Sequence, residues 1–247
     1  ISLVLVGSEM CIRDRDYCQM DGCRTQGMDL RQAKLLQTDL EGVDFTHTIV
    51  DKTQFILCTL KGACFREMDL SGCRFTDSDL SGADLKGATL TQGNLTQANL
   101  TGADLCGATA RNAACRTVNF SQGNLEDADF CGSDLRGSRF EAATVSKAKF
   151  VGARLDRAGF VRSDCSGAVF RSAQVPYADF SHANLDGADF THARLRQSRL
   201  HRTNHQKATW KGAQLTLATY TDKDLAHAED WQPPPSRIPA PGRGHFK

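Results

Sequence analysis

Cysteine and histidine are the residues of this chain best suited to metal or nucleophilic chemistry, with ten cysteines and seven histidines in 247 residues. No C-x-x-C or C-x-x-H spacing occurs among them, which argues against a zinc site. His182, His192 and His201 lie close in sequence, but without a carboxylate or thiol at ligand spacing we interpret them as surface residues. Outside the repeat described below, the chain has no Ser/His/Asp grouping, no paired buried carboxylates and no Gly-rich phosphate loop. We therefore predict a non-enzymatic protein with no catalytic residue, no cofactor and no metal.

Charged side chains are the second group of residues that could bind a partner. Basic and acidic residues are nearly equal in number, with 30 Lys and Arg against 29 Asp and Glu, so the net charge is +1. This balance excludes a polyanion or a strongly basic nucleic-acid binder as a description of the whole molecule. Acids nevertheless dominate from Asp69 to Asp134, and bases dominate from Arg136 to Lys211. No apolar run reaches about eighteen residues, which excludes a transmembrane helix.

These side chains must be positioned by a repeat of five residues. The stretch from Ser81 to Leu105 reads SGADL KGATL TQGNL TQANL TGADL, in which every block ends on a large apolar residue, here called the centre. Centres fall on residue numbers divisible by five from Leu30 to Leu225, and a small residue stands two positions before most of them. A period of five fits neither a helix nor a flat strand. Asp or Asn before the centre and Gly two positions after it favour a corner in every block.

The A(D/N)LXX pattern of these blocks resembles that of the pentapeptide-repeat proteins over about residues 26 to 225, most of the chain. The resemblance implies an all-β fold: a right-handed quadrilateral β-helix, or solenoid, of about ten coils with four blocks in each. It also implies that the centre and the small residue before it point inward. Because members of this family do several unrelated jobs, the resemblance implies a fold and no particular activity.

Four blocks per coil would stack residues that are twenty apart along the axis of the rod. With coils about 4.8 Å apart, such a rod is about 48 Å long. Asn99 over Asn119, and Asn184 over Asn204, are expected to form amide ladders. The undersized centres Ala110 and Cys115 predict a narrower or softer region. The predicted structural core includes Leu80, Leu85, Leu90, Leu95, Leu100, Leu105, Phe120, Phe140, Phe160 and Phe180.

Most cysteines fit the repeat as small apolar residues. The inward positions hold Cys18, Cys23, Cys58, Cys73, Cys115 and Cys165. Cys64, Cys106 and Cys131 are predicted to point outward as unpaired thiols, which favours a reducing compartment, the cytoplasm.

The repeat divides the chain into three segments. We interpret residues 1–15 as a non-native or disordered leader, residues 16–225 as the β-helix, and residues 226–247 as a short cap with a disordered tail rich in Pro and Gly. A short helix from Asp222 to Trp231 is expected, with Asp222 as its N-cap and with Leu225 or Trp231 covering the last coil.

Charge also sorts around the predicted coil. The edge centred on Leu35, Phe55, Phe75 and their equivalents includes a candidate interaction face formed by Arg116, Arg136, Arg154, Arg157, Arg194 and Arg196. The opposite edge carries Asp44, Glu67, Asp84, Asp104, Glu126, Asp127, Asp164 and Asp186. A rod with one basic and one acidic side can orient on a charged partner.

Three functions are compatible with these features. The first is a non-catalytic, bacterial-type scaffold that binds an unidentified protein partner through rigid charged faces. The second is a DNA mimic that binds a type II topoisomerase, as the resemblance to the quinolone-resistance members of the family implies; it needs a strongly acidic rod, which this chain matches only in its middle. The third is contact of the basic C-terminal third with nucleic acid. An end-to-end dimer is compatible with each, and the sequence leaves the oligomeric state open.

Overall fold

The computed structural model describes residues 14–16 and 27–230. It contains strands β1 (Asp14–Asp16), β2 (Lys34–Leu36) and β3 (Gln54–Ile56) and helix α1 (Lys223–Asp230). The three strands form one parallel sheet in the order β1-β2-β3, and each pairs with chain that lies twenty residues away. Asp14 and Arg15, assigned to the leader from sequence, therefore lie in β1, whereas residues 1–13 fall outside the described part.

The same offset of twenty residues continues along the chain as single parallel bridges. They recur at every fifth residue and so form four columns, for example Gln54↔Arg74, Thr59↔Asp79, Cys64↔Asp84 and Asp69↔Thr89. The last bridge joins Arg199 to Thr219. Such columns are the hydrogen-bonding pattern of a β-helix, in which each coil pairs with the coils above and below it.

A tight turn follows each centre and closes one side of the coil. The Leu80 carbonyl accepts a hydrogen bond from the Ala83 N–H at 3.0 Å. Between them Gly82 has a φ of 65°, in the left-handed region that glycine enters without steric cost. The Asp79 carboxylate supports the turn, because its Oδ1 accepts from the Ser81 N–H at 3.1 Å. The sequence therefore encodes each corner locally.

The centres and the small residues before them fill the interior. All ten core residues named above are at most 1% exposed. Phe160 is stacked between Phe140, at a centroid distance of 4.5 Å, and Phe180, at 4.8 Å. This aromatic column begins at Phe120, whose ring stacks on Phe140 at 5.0 Å. Offset-stacked rings add to the stabilisation that burial provides.

Two amide ladders run along the outside as predicted. Asn119 Nδ2 donates to Asn99 Oδ1 at 3.4 Å, and Asn204 Nδ2 donates to Asn184 Oδ1 at 2.9 Å. These bonds link side chains on neighbouring coils and confirm the twenty-residue stacking.

The cysteines divide by burial. Cys58, Cys73, Cys115 and Cys165 are buried, while Cys64, Cys106 and Cys131 are partly exposed, all of them as free thiols. Cys18 and Cys23 lie outside the described residues. The undersized centres Ala110 and Cys115 are fully buried, and the softening expected around them stays a prediction.

Helix α1 begins at the predicted N-cap. Asp222 Oδ1 accepts hydrogen bonds from the backbone N–H groups of Asp224 and Leu225 at 2.9 and 3.1 Å. Leu225, one of the two residues expected to cover the last coil, is 49% exposed, and polar contacts described below hold the helix. Trp231 lies outside the described residues. In the described part of the chain, no helix has the length and apolar character needed to cross a bilayer.

Candidate interaction face

The six predicted interaction arginines lie on one side of the rod, here called the arginine face (Arg116, Arg136, Arg154, Arg157, Arg194 and Arg196). The buried centres Cys115, Leu135, Leu155, Val175 and Leu195 anchor this side, so the residues next to each centre point outward. From Arg116 to Arg196 the face spans about 19 Å, because successive coils are about 4.8 Å apart. Its outward positions also hold Asp134 and Asp156. Six arginines against two aspartates leave the face with a net charge of +4.

Arg116 and Arg136 share the carboxylate of Asp134. Arg136 Nε and Nη2 donate to its two oxygens at 2.7 Å each, and Arg116 Nε donates to Oδ2 at 2.7 Å. The hydrogen bond from Arg136 is the largest of the effects that hold the pKa of Asp134 well below its usual range; burial opposes the shift, and Arg116 reinforces it. Both carboxylate oxygens of Asp134 therefore accept hydrogen bonds from these two arginines. Arg154 is bridged to Asp134 through the backbone on the next coil, but its side chain does not pair with the carboxylate.

Four of the six arginines of the face have no ion-pair partner in the described part of the chain. Arg154, Arg194 and Arg196 are exposed, and their side chains form no ion pair with any residue that the structure describes. Arg157 lies over the ring of Tyr177, with Cζ 5.9 Å from the ring centroid. The Tyr177 ring is 50% exposed, so the face combines free cations with an accessible aromatic surface.

Sequence reasoning missed Tyr177. It occupies the corner position two residues after a centre, where turn residues are expected. The signal was available in the column itself, because the equivalent residues on other coils include Gln97, Thr117 and Gln197. The same column also holds the exposed Leu57 and Leu217, but Tyr177 is its aromatic residue, and at this outward position the ring has no packing role in the interior.

Several arginines elsewhere on the rod are neutralised by a recurrent pairing across coils, although the exposed Arg74 and Arg162 form no ion pair within the described ranges. In each pair the aspartate follows the arginine by eighteen residues and lies on the next coil: Arg66 with Asp84, Arg111 with Asp129, and Arg171 with Asp189. Eighteen residues after Arg196 the chain has Gln214 instead. The arginine face therefore differs from these pairs in clustering several arginines that have no counter-ion among the described residues.

The opposite side is less acidic than the sequence suggested. Three of its acids pair with bases: Asp84 with Arg66 at 2.5 Å, Glu126 with Lys147 at 3.0 Å and Asp186 with Lys207 at 3.5 Å. Glu67, Asp104 and Asp127 form no ion pair within the described ranges. This side keeps a negative character, but basic side chains interrupt it.

A cluster at the last coils corrects the interpretation of the histidines. Glu229 of α1 places Oε2 at 3.4 Å from His201 Nε2, 3.5 Å from His182 Nε2 and 3.1 Å from Arg202 Nε. His201 was predicted to be a surface residue, but it is only 7% exposed. The sequence could not show this contact, because Glu229 is 28 residues away from His201.

Two histidines and a carboxylate form a set of metal-ligating types, but their hydrogen bonds favour another role. The Asp222 N–H donates to His201 Nδ1 at 3.2 Å, so a neutral His201 carries its proton on Nε2 and donates to Glu229. Arg202 contacts the same Glu229 oxygen. Burial works to raise the pKa of Glu229, but the hydrogen bond from His201 and the charges nearby lower it overall. The cluster fits a latch that holds α1 on the last coils.

Comparison with known proteins places these features in a family. The family described as Pentapeptide repeats matches the chain in eight copies, over residues 26–62, 53–92, 94–127, 124–160 and 163–202, more than half of its length. No curated protein matches the chain.

Three solved structures of pentapeptide-repeat proteins are among those similar to this chain. HetL, a pentapeptide repeat protein involved in heterocyst differentiation regulation from the cyanobacterium Nostoc sp. strain PCC 7120, is 27% identical over 85% of this chain and 87% of its own, with a TM-score of 0.49. Full-length QnrB1, a plasmid-mediated fluoroquinolone resistance protein, is 16% identical over 87% and 96%, with a TM-score of 0.41. Rfr23 from the cyanobacterium Cyanothece 51142 is 18% identical over 47% and 88%, with a TM-score of 0.36. On the strength of the repeat match, the chain belongs to the pentapeptide-repeat family.

Proposed function

We propose that this chain is a non-catalytic, cytoplasmic interaction scaffold that binds partner macromolecules on the outside of a rigid, right-handed solenoid of about ten coils. The observation that carries the proposal is the arginine face, where Arg154, Arg194 and Arg196 are exposed and have no counter-ion among the described residues. Charge that the protein does not neutralise itself is available to attract and orient a partner of opposite charge. The more acidic opposite side offers a second face for a protein partner.

The packing of the interior supports a non-catalytic role. Catalytic sites are usually concave and combine apolar walls with a few convergent polar groups. In the described coils the inward positions are occupied by closely packed side chains such as Leu100, Phe160 and Ala183, each at most 1% exposed. Partner binding therefore has to use the outward side chains, whose spacing the coils hold fixed.

Retention on immobilised heparin, a polyanion, tests the proposal. The test protein carries Arg154→Gln, Arg194→Gln and Arg196→Thr together. The replacement residues already occur at equivalent positions of other coils, where Gln174 and Thr216 stand. Its matched control loses the same charge at the neutralised arginines, through Arg66→Gln, Arg111→Gln and Arg171→Gln. We expect the test protein to elute at clearly lower salt than the wild type, and the control to elute near it. Equal shifts would mean that only net charge matters and would contradict a specific face.

The DNA-mimic function has less support. Mimicry of a duplex needs a continuous acidic surface, whereas here Asp84, Glu126 and Asp186 are paired with basic side chains. We expect the purified protein to leave supercoiling by DNA gyrase unchanged. Inhibition of supercoiling at stoichiometric concentrations would favour a topoisomerase partner over the proposed scaffold.

A further inference from the structure

We infer that the arginine face binds single-stranded nucleic acid, with phosphates at Arg154, Arg194 and Arg196 and a base stacked on Tyr177. The inference rests on the proposed function and names the partner of the same face. It depends on a combination of features that charge alone does not provide.

The first feature is the exposed aromatic ring. Tyr177 is half exposed on the outside of the rod, whereas each of the fully buried phenylalanines stacks on another ring. Arg157 lies over one side of this ring, with Cζ 5.9 Å from the centroid, within the range of a cation–π contact, so a base would stack on the other side. Rings beside a track of cations are the means by which proteins bind single strands, because every base has a face that can stack. An acidic protein partner would use the arginines and have no particular need of the ring.

The second feature is the order of the groups along the rod. Arg154 and Arg194 lie in one column, two coils apart, because each is bridged to Gln174 on the coil between them. Their backbones are therefore about 10 Å apart along the axis. Tyr177 lies on that intermediate coil, three residues after Gln174. A strand running along the axis would meet a cation, a ring and a cation in succession.

The exposed ring also distinguishes a single strand from a duplex. In a duplex the bases are stacked on one another, and their faces are not available to a side chain. The phosphates of a duplex would contact the arginines equally well, but Tyr177 would contribute little. Substitution of Tyr177 therefore separates the two kinds of nucleic acid.

Asp156 provides a control of opposite sign on the same face. It lies on the coil of Arg154, and its Oδ2 is buried without a hydrogen-bond partner among the described residues. Its negative charge opposes the approach of phosphate. Asp156→Asn should therefore strengthen binding of any nucleic acid, whereas Tyr177 variants should affect only the single strand.

Fluorescence anisotropy with a labelled oligothymidylate of about 12 nucleotides measures the binding. Tyr177→Gln should weaken it about 5- to 150-fold, while Tyr177→Phe, which keeps the ring, should bind as the wild type does. Gln is tolerated at this corner, since Gln97 and Gln197 adopt the same left-handed conformation with φ of 62° and 58°. Arg194→Gln should reduce the salt slope by about 0.7 for the single phosphate contact it removes. Arg171→Gln, at a neutralised arginine on another side, is the matched control and should leave both quantities unchanged.

The outcomes separate this inference from the proposed function. If heparin retention depends on the face but Tyr177→Gln binds the oligonucleotide as tightly as the wild type does, the single-strand inference is wrong and the scaffold proposal stands. The same conclusion follows if polyglutamate competes with the labelled oligonucleotide as effectively as unlabelled oligonucleotide does, because that would identify an acidic protein partner. It also follows if a duplex of equal length binds more tightly than the single strand. If the wild type is not retained on heparin at low salt, the proposed function and this inference fail together.

Discussion

Phe160 offers the sharpest test of the stacked interior. Its ring lies between Phe140 and Phe180, at centroid distances of 4.5 and 4.8 Å, and meets Phe150 and Phe170 edge to face at 6.1 and 5.7 Å. Phe120 belongs to the same column and is equally buried. It stacks on Phe140 alone, at 5.0 Å, and meets one ring, Phe130, edge to face at 5.6 Å. The two positions thus differ mainly in their aromatic neighbours.

Replacement of each ring by leucine exposes that difference. Leucine keeps most of the apolar bulk, so both variants lose a comparable burial term, and each aromatic pair is worth about 0.5–1.5 kcal/mol beyond burial. Because Phe160 has two more aromatic pairs than Phe120, we expect Phe160→Leu to lower the free energy of unfolding by about 1–3 kcal/mol more than Phe120→Leu does. Phe160→Ala, which also creates a cavity, should cost about 3–5 kcal/mol.

Urea unfolding of the full chain, followed by circular dichroism and by tryptophan fluorescence, measures these differences. Coincident transitions for the two probes show that a single free energy describes unfolding, as needed for a repeat protein. Equal losses for Phe160→Leu and Phe120→Leu would refute the claim that ring stacking along the axis stabilises the rod beyond simple burial. A larger loss of unfolding free energy for Phe120→Leu would instead indicate that the rod is least stable beside the undersized centres Ala110 and Cys115.

Three further predictions follow from single residues. Thr117 has a φ of 53°, which is strained for a β-branched residue, so Thr117→Asn should raise the free energy of unfolding by about 1 kcal/mol; an unchanged value in urea unfolding would contradict this strain. Burial raises the pKa of the Cys165 thiol to about 12, so a thiol reagent followed by peptide mass spectrometry should label the partly exposed Cys106 long before Cys165, and equal labelling would mean that the coils open readily. The pKa of Asp134 is lower in the folded state than the ordinary value near 3.9; its stabilising contribution is therefore present above about pH 4 and lost as the pH falls towards the folded pKa. Asp134→Asn should consequently reduce the loss of stability between neutral and acidic pH, and an unchanged pH dependence would argue against the arginine-held carboxylate.

The fold was predictable because the five-residue period is a local signal. Each block carries its own turn residues and its own pair of inward residues, as Asp79, Leu80 and Gly82 illustrate. Once the coil length is known to be twenty residues, the arginine face follows from arithmetic on residue numbers. The core residues, the amide ladders and the N-cap of α1 could all be derived from such local patterns.

The electrostatic state of the face was not predictable in the same way. Arg116 and Arg136 were candidates equal to Arg154, but both are occupied by Asp134. Whether an arginine is free depends on which carboxylate its long side chain reaches on the neighbouring coil, and that choice involves rotamers and competition between partners. The latch of His201 and Glu229 joins segments that have no repeat relationship, so no periodic pattern could reveal it.

The sequence by itself determined that this protein is a β-helix, because large and small inward residues at a fixed spacing of five are buried together when coils of equal length stack. The tertiary structure alone decided which charges form ion pairs within the described coils, where α1 is held, and that Tyr177 stands beside arginines with no counter-ion there. The physical reason is that backbone hydrogen bonds repeat with the chain, whereas ion pairs and ring contacts form between side chains that the coils bring together from distant positions.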